Sequence, residues 1–389
     1  MDLPSKHVLH LSKRIGARGA GSDGEAAAAS YVLRTLDDFD IEVNMESFSC
    51  WKSDLTAFLI LYLLAIASYL LFRYSYTLSL VVSVAVFLLF LMETLSWAVI
   101  SKLLPRSNVS NVMARVRPSE ETRRRVVLTA NYDSAKSSPL GRPCLARSFR
   151  VLFIVSFICI IFIVILGIVG LLASLTKETP HTIYLAWVAT VPFPLFLFLF
   201  FMVIFWGEVR GHYTAGANDN ASGLGVILSV ISSIADNPLE HTDVWAVATG
   251  RGAAGGRGMV ALLHRHRRQL KDAFIINVDH VGVGKTSIIT REGVMLGFRC
   301  SWKLRRLARA AANKSKDLDV GKGRCRVKKS DAMVARVRGY KSMTIGGQRG
   351  GSYPGWKNSD DTSVSIDRES LDDAMKLLQL LLEEIDAQS

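Results

Sequence analysis

The chain has 389 residues, of which 50% are hydrophobic and 21% charged, with a formal net charge of +13. A mean hydropathy of +0.26 beside this charge requires apolar and charged residues to occupy different stretches, and it excludes a disordered chain. None of the five cysteines stands in a CxxC pair. This argues against a disulfide scaffold or a cysteine-built zinc site, and it indicates a reducing compartment.

The polar segment before residue 55 predicts the first elements of an α/β domain. Residues 25–36 have the spacing of an amphipathic helix, and residues 41–48 alternate apolar and polar side chains as a strand does. Nothing in the segment has the layout of a signal peptide, so the apolar runs that follow are expected to stay in the mature chain.

Four apolar runs come next and interrupt the polar chain twice. The runs are 55–72, 77–100, 151–175 and 183–206. Each is long enough to cross a hydrocarbon core of about 30 Å at about 1.5 Å per residue. A buried core helix is the alternative for any one of them, but four such runs in one chain favour membrane spans. Because short polar turns join the runs in pairs, we predict two transmembrane hairpins, 55–100 and 151–206.

Each hairpin returns the chain to the side that it left. The segments 1–54, 101–150 and 207–389 are therefore predicted to build one domain on one face of the membrane. The far turns hold only Arg73 and Lys177 as basic residues, whereas basic residues are frequent beside the spans on the domain side. The positive-inside rule then predicts a multi-pass integral membrane protein with its soluble domain in the cytoplasm.

The remaining polar segments alternate predicted strands and helices. Strands are predicted at 111–116, 125–130, 244–249 and 274–278, and helices at 223–235 and 258–270. This alternation predicts an α/β fold with a mostly parallel, helix-covered sheet, to which four transmembrane helices are added. In such sheets functional groups collect just beyond the carboxyl ends of the strands.

Polar residues do follow the predicted strand ends. The strand 125–130 runs into residues 131–134 (NYDS), the strand 274–278 runs into Asp279 and His280, and the loop 216–223 (GANDNASG) leads into a helix. With these segments the chain resembles the zinc exopeptidases of metallopeptidase family twenty-eight, which include aminopeptidases and the glutamate carboxypeptidase group. The stretch 18–22 (RGAGS) resembles the start of that family. The resemblance implies a sheet of the zinc-exopeptidase (phosphorylase/hydrolase-like) type.

The resemblance also implies a metal site that is only partly kept. Two of the family's five ligand positions hold aspartates, Asp219 as the bridging ligand and Asp279. The other three hold residues of another type, namely Asn131, Ala253 and Lys357. Zinc sites need three or four ligands. The resemblance therefore implies a site without its metal, and no cofactor is expected.

The catalytic residues that the resemblance implies are likewise incomplete. The position of the general base holds Gly252, whereas Asp133, at the position of the aspartate that orients the site, is kept. A lysine beside two carboxylates can supply the positive charge of a lost metal. We expect Lys357, together with Arg251, to do so here. The alternative is that Lys357 points to solvent from a loop.

We therefore expect a membrane-anchored metallopeptidase-like protein that is catalytically inactive and acts by binding or scaffolding near the membrane. The alternative is an active zinc-dependent aminopeptidase or exopeptidase, with a one-metal site of Asp219, Asp279 and a residue such as Asp133 or His280. A transporter or channel is a third class, but Glu93 is the only acid within the apolar runs.

The basic excess predicts partners. It is concentrated in the runs 123–125, 264–271, 303–316 and 322–329. Such runs hold a tethered domain against anionic membrane lipid, or they form a plain solvated surface. The chain has no recognition-helix or aromatic-platform motif, which disfavours nucleic acid. Because the second hairpin interrupts the segments that carry the site, a membrane-proximal peptide or protein is a further expected partner.

Overall fold

The computed structural model describes residues 3–176, 179–253, 255–350 and 352–388. Lys177, one of the two basic residues predicted at the far turns, lies outside the described residues. The chain folds as two compact units. Unit 1 comprises Met1–Lys52, Pro105–Ser137 and His212–Ser389, and unit 2 comprises Ser53–Leu104 and Ser138–Gly211.

Helices and strands alternate through unit 1, whereas unit 2 is helical in its described part. The helices are α1 Pro4–Leu9, α2 Asp23–Asp37, α3 Leu55–Leu71, α4 Tyr76–Thr94, α5 Pro143–Thr176, α6 Pro180–Ala189, α7 Pro192–Arg210, α8 Ser222–Asp236, α9 Arg257–Arg265, α10 Trp302–Asn313, α11 Asp331–Val337 and α12 Arg368–Asp386. The strands are β1 Glu42–Trp51, β2 Arg106–Val116, β3 Arg124–Asn131, β4 Thr242–Thr249, β5 Phe274–Asp279, β6 Lys285–Glu292, β7 Phe298–Arg299, β8 Gly321–Cys325 and β9 Lys341–Gln348.

The strands of the described residues form one nine-stranded sheet. Its order is β1-β2-β4-β3-β5-β9-β6-β7, and β8 pairs with β6. The pairs β3–β4, β3–β5, β5–β9 and β6–β8 are parallel, whereas the pairs β1–β2, β2–β4, β6–β9 and β6–β7 are antiparallel. The prediction of a mostly parallel sheet was therefore right only for its centre, and the sheet as a whole is mixed.

The antiparallel edge has a simple cause in the chain path. Trp51 at the end of β1 pairs with Arg106 at the start of β2. The chain therefore leaves unit 1 and returns to it at the same edge of the sheet, and two adjacent strands joined in this way must run in opposite directions.

The central strands are held from one side by α9. Val127, Val247 and Ile275 from β3, β4 and β5 share a buried cluster with Met259 and Leu262 of this helix. The predicted helix 258–270 ends early, at Arg265. The four residues after it, HRRQ, are polar, and Leu270 joins the same buried cluster from a turn.

Unit 2 contains helices α3 to α7. Three helical stretches are long and apolar enough to cross a membrane, Tyr76–Thr94, Pro143–Thr176 and His181–Arg210, and α3 is apolar but shorter, with 17 residues. The predicted run 77–100 is helical only to Thr94, because Ser96 and Ala98 adopt left-handed backbone conformations with φ of 62° and 54°.

The fourth predicted span, 183–206, is divided into two helices. Helix α6 ends at Ala189, and α7 begins at Pro192. Proline has no N–H to donate to the preceding turn, and its fixed φ suits the first position of a helix. A break before Pro192 follows from this chemistry, although the hydropathy of the run does not reveal it.

Polar side chains inside unit 2 form hydrogen bonds with backbone and side-chain groups of the same unit. The Ser68 hydroxyl donates to the Ser79 carbonyl at 2.9 Å, and the Ser79 hydroxyl donates to the Ser68 carbonyl at the same distance. The carboxylate of Glu93, near the end of α4, accepts hydrogen bonds from the backbone N–H and the hydroxyl of Ser101, at 2.8 and 2.9 Å. Glu93 thus stabilises the turn after α4, a structural role that the hydropathy pattern left open.

Candidate functional site

Unit 1 brings the predicted residues together at the carboxyl ends of the central strands, which form one edge of the sheet. β3 ends at Asn131 and β5 ends at Asp279, and these neighbouring strands are parallel. The loop 217–221 reaches the same edge, because the Asn220 amide donates to the Asn131 side-chain oxygen at 3.3 Å and to the Val278 carbonyl at 2.9 Å. Asp219, which precedes Asn220, therefore lies beside the ends of both strands.

Asp361 holds the loop in this position. Its two carboxylate oxygens accept the backbone N–H groups of Asn218 and Asp219 at 2.7 and 2.9 Å. The Asn220 side-chain oxygen accepts the N–H of His280 at 3.1 Å. The backbone on either side of the Asp219 carboxylate is thus fixed by buried hydrogen bonds.

The centre of the site is a cluster of four charged or chargeable side chains. The Lys328 ammonium lies 3.0 Å from an oxygen of Asp219 and 3.0 Å from an oxygen of Asp279. The His280 Nδ1 lies 2.8 Å from the same Asp279 oxygen, and its Nε2 lies 3.5 Å from Asp219. The Lys328 side chain is 10% exposed and the two carboxylates are 3% and 2% exposed, so water screens this cluster little.

Charge pairing sets the protonation states of the cluster. Burial disfavours the ionised form of both carboxyl groups and would raise their pKa values. The positive charges of His280 and Lys328 outweigh burial and hold the pKa of Asp219 far below its usual range and the pKa of Asp279 below its own. Burial would likewise lower the pKa values of His280 and Lys328, but the two carboxylates outweigh it and raise the pKa of His280 to about 9 and that of Lys328 well above its usual value. Two negative charges therefore face two positive charges near neutral pH.

The cation beside the two aspartates is not the one expected from the sequence. Among the described residues Lys357 forms no ion pair with Asp219 or Asp279, and Arg251 donates to Glu25 at 2.8 Å. The prediction of Lys357 with Arg251 as the replacement charge was therefore wrong. Lys328 belongs to the basic run 322–329, and no local signal separates this buried lysine from its neighbours in that run.

The position expected for the general base holds Gly252, which has no side chain, so only backbone groups lie there. The Asp133 carboxylate accepts the N–H groups of Gly252 and Ala253 at 2.8 and 3.0 Å, and the Asn131 amide at 3.1 Å. Burial and the nearby Glu25 raise the pKa of Asp133 to about 7, although these hydrogen bonds lower it. Asp133 is thus engaged in holding the loop after β4.

Gly252 has no space for a side chain. A Cβ atom built at Gly252 would lie 2.1 Å from the Cβ of Asn131 and 2.6 Å from its Cγ. Distances of this size are far inside van der Waals contact, so a carboxylate at Gly252 would displace the end of β3. By the resemblance, Asn131 occupies a metal-ligand position and Gly252 the position of the general base, and the close contact between them leaves no room for a side chain at Gly252.

Arg18 joins the amino-terminal segment to the site and was not predicted in this role. Its guanidinium is fully buried, and it donates five hydrogen bonds to backbone carbonyls. Its acceptors are Leu11, Gly16, Tyr132, Ala215 and Gly216, at 2.6–2.9 Å. Because Tyr132 follows β3 and Gly216 precedes the Asp219 loop, Arg18 ties both site segments to the start of the chain.

A zinc ion needs three or four ligands that converge at about 2.0–2.3 Å. In the described part of the chain, Asp219, Asp279 and His280 form a buried group whose ligand atoms lie within 4.8 Å of one another. The Lys328 ammonium lies against the carboxylates of this group, where it takes the space and the charge of a cation. With Lys328 in this position, the residues present do not fit a zinc ion.

Comparisons with known proteins agree with this architecture. Residues 202–382 match the family model described as peptidase family M28. No curated protein sequence matches the chain.

Similar solved structures include two proteins of Bacteroides thetaiotaomicron and one of Bacillus subtilis, each 13% identical to this chain. A glutaminyl cyclase bound to N-acetylhistamine has a TM-score of 0.58 and covers 98% of this chain and 96% of its own. A leucine aminopeptidase precursor has a TM-score of 0.57, with 98% and 95% covered, and the zinc aminopeptidase of B. subtilis has a TM-score of 0.56, with 98% and 94% covered.

At this identity the likeness of the solved structures describes the fold, which is the zinc-exopeptidase fold expected from the sequence. Residues 202–382 are the part of the chain that matches a peptidase family M28 domain, in agreement with the family expected from the sequence.

Proposed function

We propose that this protein is a membrane-anchored member of the M28 peptidase fold that binds or scaffolds a partner and does not hydrolyse peptides. Its site keeps the architecture of a zinc exopeptidase, but a lysine stands beside the aspartates and backbone stands at the base position. Binding uses the shape and the polar groups of the site, whereas hydrolysis needs an activated water and a group that accepts its proton.

The observation that carries this proposal is the contact between Asn131 and Gly252. A Cβ at Gly252 would lie 2.1 Å from the Asn131 Cβ, so the loss of the base is built into the packing of the loop after β4. A single replaced side chain can be compensated by a neighbour. Here Asp133, the nearest candidate, already accepts the N–H groups of Gly252 and Ala253.

Anchoring in the membrane is part of the proposal. It is supported by three helices of spanning length and by the apolar helix α3, which together would form the two hairpins with the domain on the cytoplasmic side. A domain tethered in this way meets membrane lipid and membrane-proximal segments of other proteins at high effective concentration. We propose these as its partners.

A second candidate function is an active zinc exopeptidase with an unconventional site. It is favoured by the group of Asp219, Asp279 and His280, whose ligand atoms lie within 4.8 Å of one another. The two functions differ in whether the native chain holds a metal and turns over substrate.

The deciding experiment measures the zinc content and the activity of the full chain purified in detergent without chelator. We expect no stoichiometric zinc, and no chelator-sensitive cleavage of aminoacyl or peptidyl reporters or cyclisation of an amino-terminal glutaminyl peptide. Loss of one catalytic group commonly lowers the rate about 10²–10⁴-fold, and several positions differ here. Near-stoichiometric zinc with turnover that Asp219→Asn abolishes would overturn the proposal and establish the second candidate.

A further inference from the structure

We propose that Lys328 is a tethered cation that closes a divalent-metal site formed by Asp219, Asp279 and His280. This inference deepens the proposed function and rests on it, because it explains why the native chain would hold no metal. It predicts that removal of one ammonium group opens the site. The ligand is a single divalent cation with affinity for carboxylate and imidazole, such as zinc or manganese.

Geometry makes Lys328 and a metal mutually exclusive. The Lys328 Nζ lies 3.0 Å from Asp219 Oδ1 and 3.0 Å from Asp279 Oδ1, and both residues belong to the group whose ligand atoms lie within 4.8 Å of one another. A cation that bound these two oxygens would need the same space as the ammonium. The side chain is 10% exposed, so it cannot swing aside without unpairing a buried charge.

Two buried atoms indicate that the group has coordination capacity left. Asp279 Oδ2 and His280 Nε2 accept or donate no hydrogen bond within the described residues, and Nε2 has only the longer ion-pair contact with Asp219. Leaving a buried polar atom unpaired costs about 1–3 kcal/mol. His280 Nε2 lies 3.5 Å from Asp219 Oδ1, so the imidazole already faces the bridging aspartate. Asp219 and Asp279 stand at two of the ligand positions that the resemblance implies, whereas His280 is a further ligand, since Asn131, Ala253 and Lys357 stand at the other three positions.

Removal of Lys328 leaves the two carboxylates without their bridging cation. Like charges at this spacing repel each other in a buried site, so removal of Lys328 favours the binding of another positive charge between Asp219 and Asp279. A divalent ion supplies this charge and displaces the His280 proton to solvent, and the free energy of metal binding then adds to the stability of the fold. The inference therefore predicts a variant whose stability depends on metal.

The experiment compares the full chain with Lys328→Met, which keeps the length of the side chain and removes its charge. Lys322→Met, an exposed lysine of the same basic run, is the matched control, and Lys328→Met combined with Asp219→Asn tests the ligand. Each is incubated with zinc or manganese and desalted. Bound metal and the melting temperature with and without added metal are then measured.

We expect about one ion per chain and a metal-dependent rise in melting temperature for Lys328→Met. The native chain, Lys322→Met and the double variant should show neither. If Lys328→Met folds only when metal is supplied, the inference is supported. A folded Lys328→Met without bound metal overturns it and leaves the proposed function standing. Failure of both Lys328→Met and Lys328→Gln to fold even with metal also overturns the inference, and it also leaves the proposed function standing. Stoichiometric metal in the native chain overturns the proposed function itself.

Discussion

Buried carboxyl groups of unit 1 respond to pH in two opposite ways. Asp219 and Asp279 contact Lys328, and the surrounding positive charges hold their pKa values low despite burial. Glu292 and Asp331 accept hydrogen bonds from neutral hydroxyl groups instead, and burial raises their pKa values to about 7 and about 6. The first pair stabilises the fold when ionised and the second pair when protonated.

This difference predicts a pH dependence at Glu292. An unfolded glutamate ionises near pH 4.3, whereas the pKa of Glu292 in the fold is about 7. Its stabilising contribution is therefore complete below about pH 4 and is lost as the pH rises through about 7. We expect the melting temperature to fall between pH 5 and pH 8, with about 2–3 kcal/mol of the change due to Glu292.

The variant Glu292→Gln, which resembles the protonated acid, should flatten this profile. Glu121→Gln, at an exposed carboxyl, is the control and should leave the profile as in the native chain. Thermal unfolding at several pH values measures both. An equal loss of stability in Glu292→Gln and the native chain would contradict the prediction.

At the scale of elements, α4 and α5 pack closely because α5 carries two glycines on one face. A Cβ atom at Gly167 would lie 3.0 Å from the Leu80 Cα, and one at Gly170 would lie 2.9 Å from the ring of Tyr76, at the start of α4. Small residues let helix backbones approach in a membrane, where dispersion contacts replace the hydrophobic effect as the driving force. Leu80 lies on α4, so Gly167 fixes the distance between the two helices.

Gly167→Leu should separate α4 from α5. The new side chain meets backbone at Leu80, which cannot rotate away, and overpacking of this kind costs about 1–3 kcal/mol. Val169→Leu, at an exposed position two residues further on, is the matched control and should be neutral. Thermal unfolding in detergent measures both variants. Equal stability of Gly167→Leu and Val169→Leu would show that the contact is not rigid.

At the scale of the whole molecule, the order of segments predicts its topology. At both interruptions of unit 1 the chain returns close to the point at which it left. β1 ends and β2 begins at the same end of a strand pair, and Lys136 and Tyr213, which lie on either side of the second interruption, form a β-bridge. If both interruptions are membrane hairpins, both termini and the segment 105–110 share one side, and the turns near Ser75 and Thr179 lie on the other.

Cysteine labelling of sealed membranes tests this topology. In a Cys144→Ser background, Ser75→Cys and Thr179→Cys should react with an impermeant reagent from the side opposite to Ser119→Cys and Gln388→Cys. If the domain is cytoplasmic, Ser75→Cys and Thr179→Cys should react with the impermeant reagent in intact cells. Reaction of Ser75→Cys and Gln388→Cys from the same side would rule the hairpins out.

The sequence by itself determined half of the helices and strands described in unit 1, and it indicated the family. Periods of two and 3.6 residues are local properties, so 125–130 and 274–278 could be recognised as strands and 25–36 as a helix. Asp219 and Asp279 could be located because each directly neighbours a recognisable segment, the loop GANDNASG and the end of β5. The match of residues 202–382 to the M28 family model confirms the family expected from these segments.

Hydropathy alone was less reliable at the ends and breaks of helices. It predicted long apolar runs, but α4 ends at Thr94 and the last run breaks before Pro192. Left-handed φ at Ser96 and a missing N–H at Pro192 are backbone properties, which an average over side-chain hydrophobicity does not contain. The antiparallel edge of the sheet likewise depended on where the chain re-enters unit 1.

Only the tertiary structure decided the chemistry of the site. Lys328 lies 109 residues from Asp219 and 49 from Asp279 in the chain, and nothing in a basic run reveals which lysine turns inward. Lys328, and not Lys357, is the cation of the site because it is buried against the two carboxylates. In the same way Gly252 is 121 residues from Asn131, and their contact closes the base position. Contacts at such separations follow from the packing of the whole domain, because no local pattern encodes them.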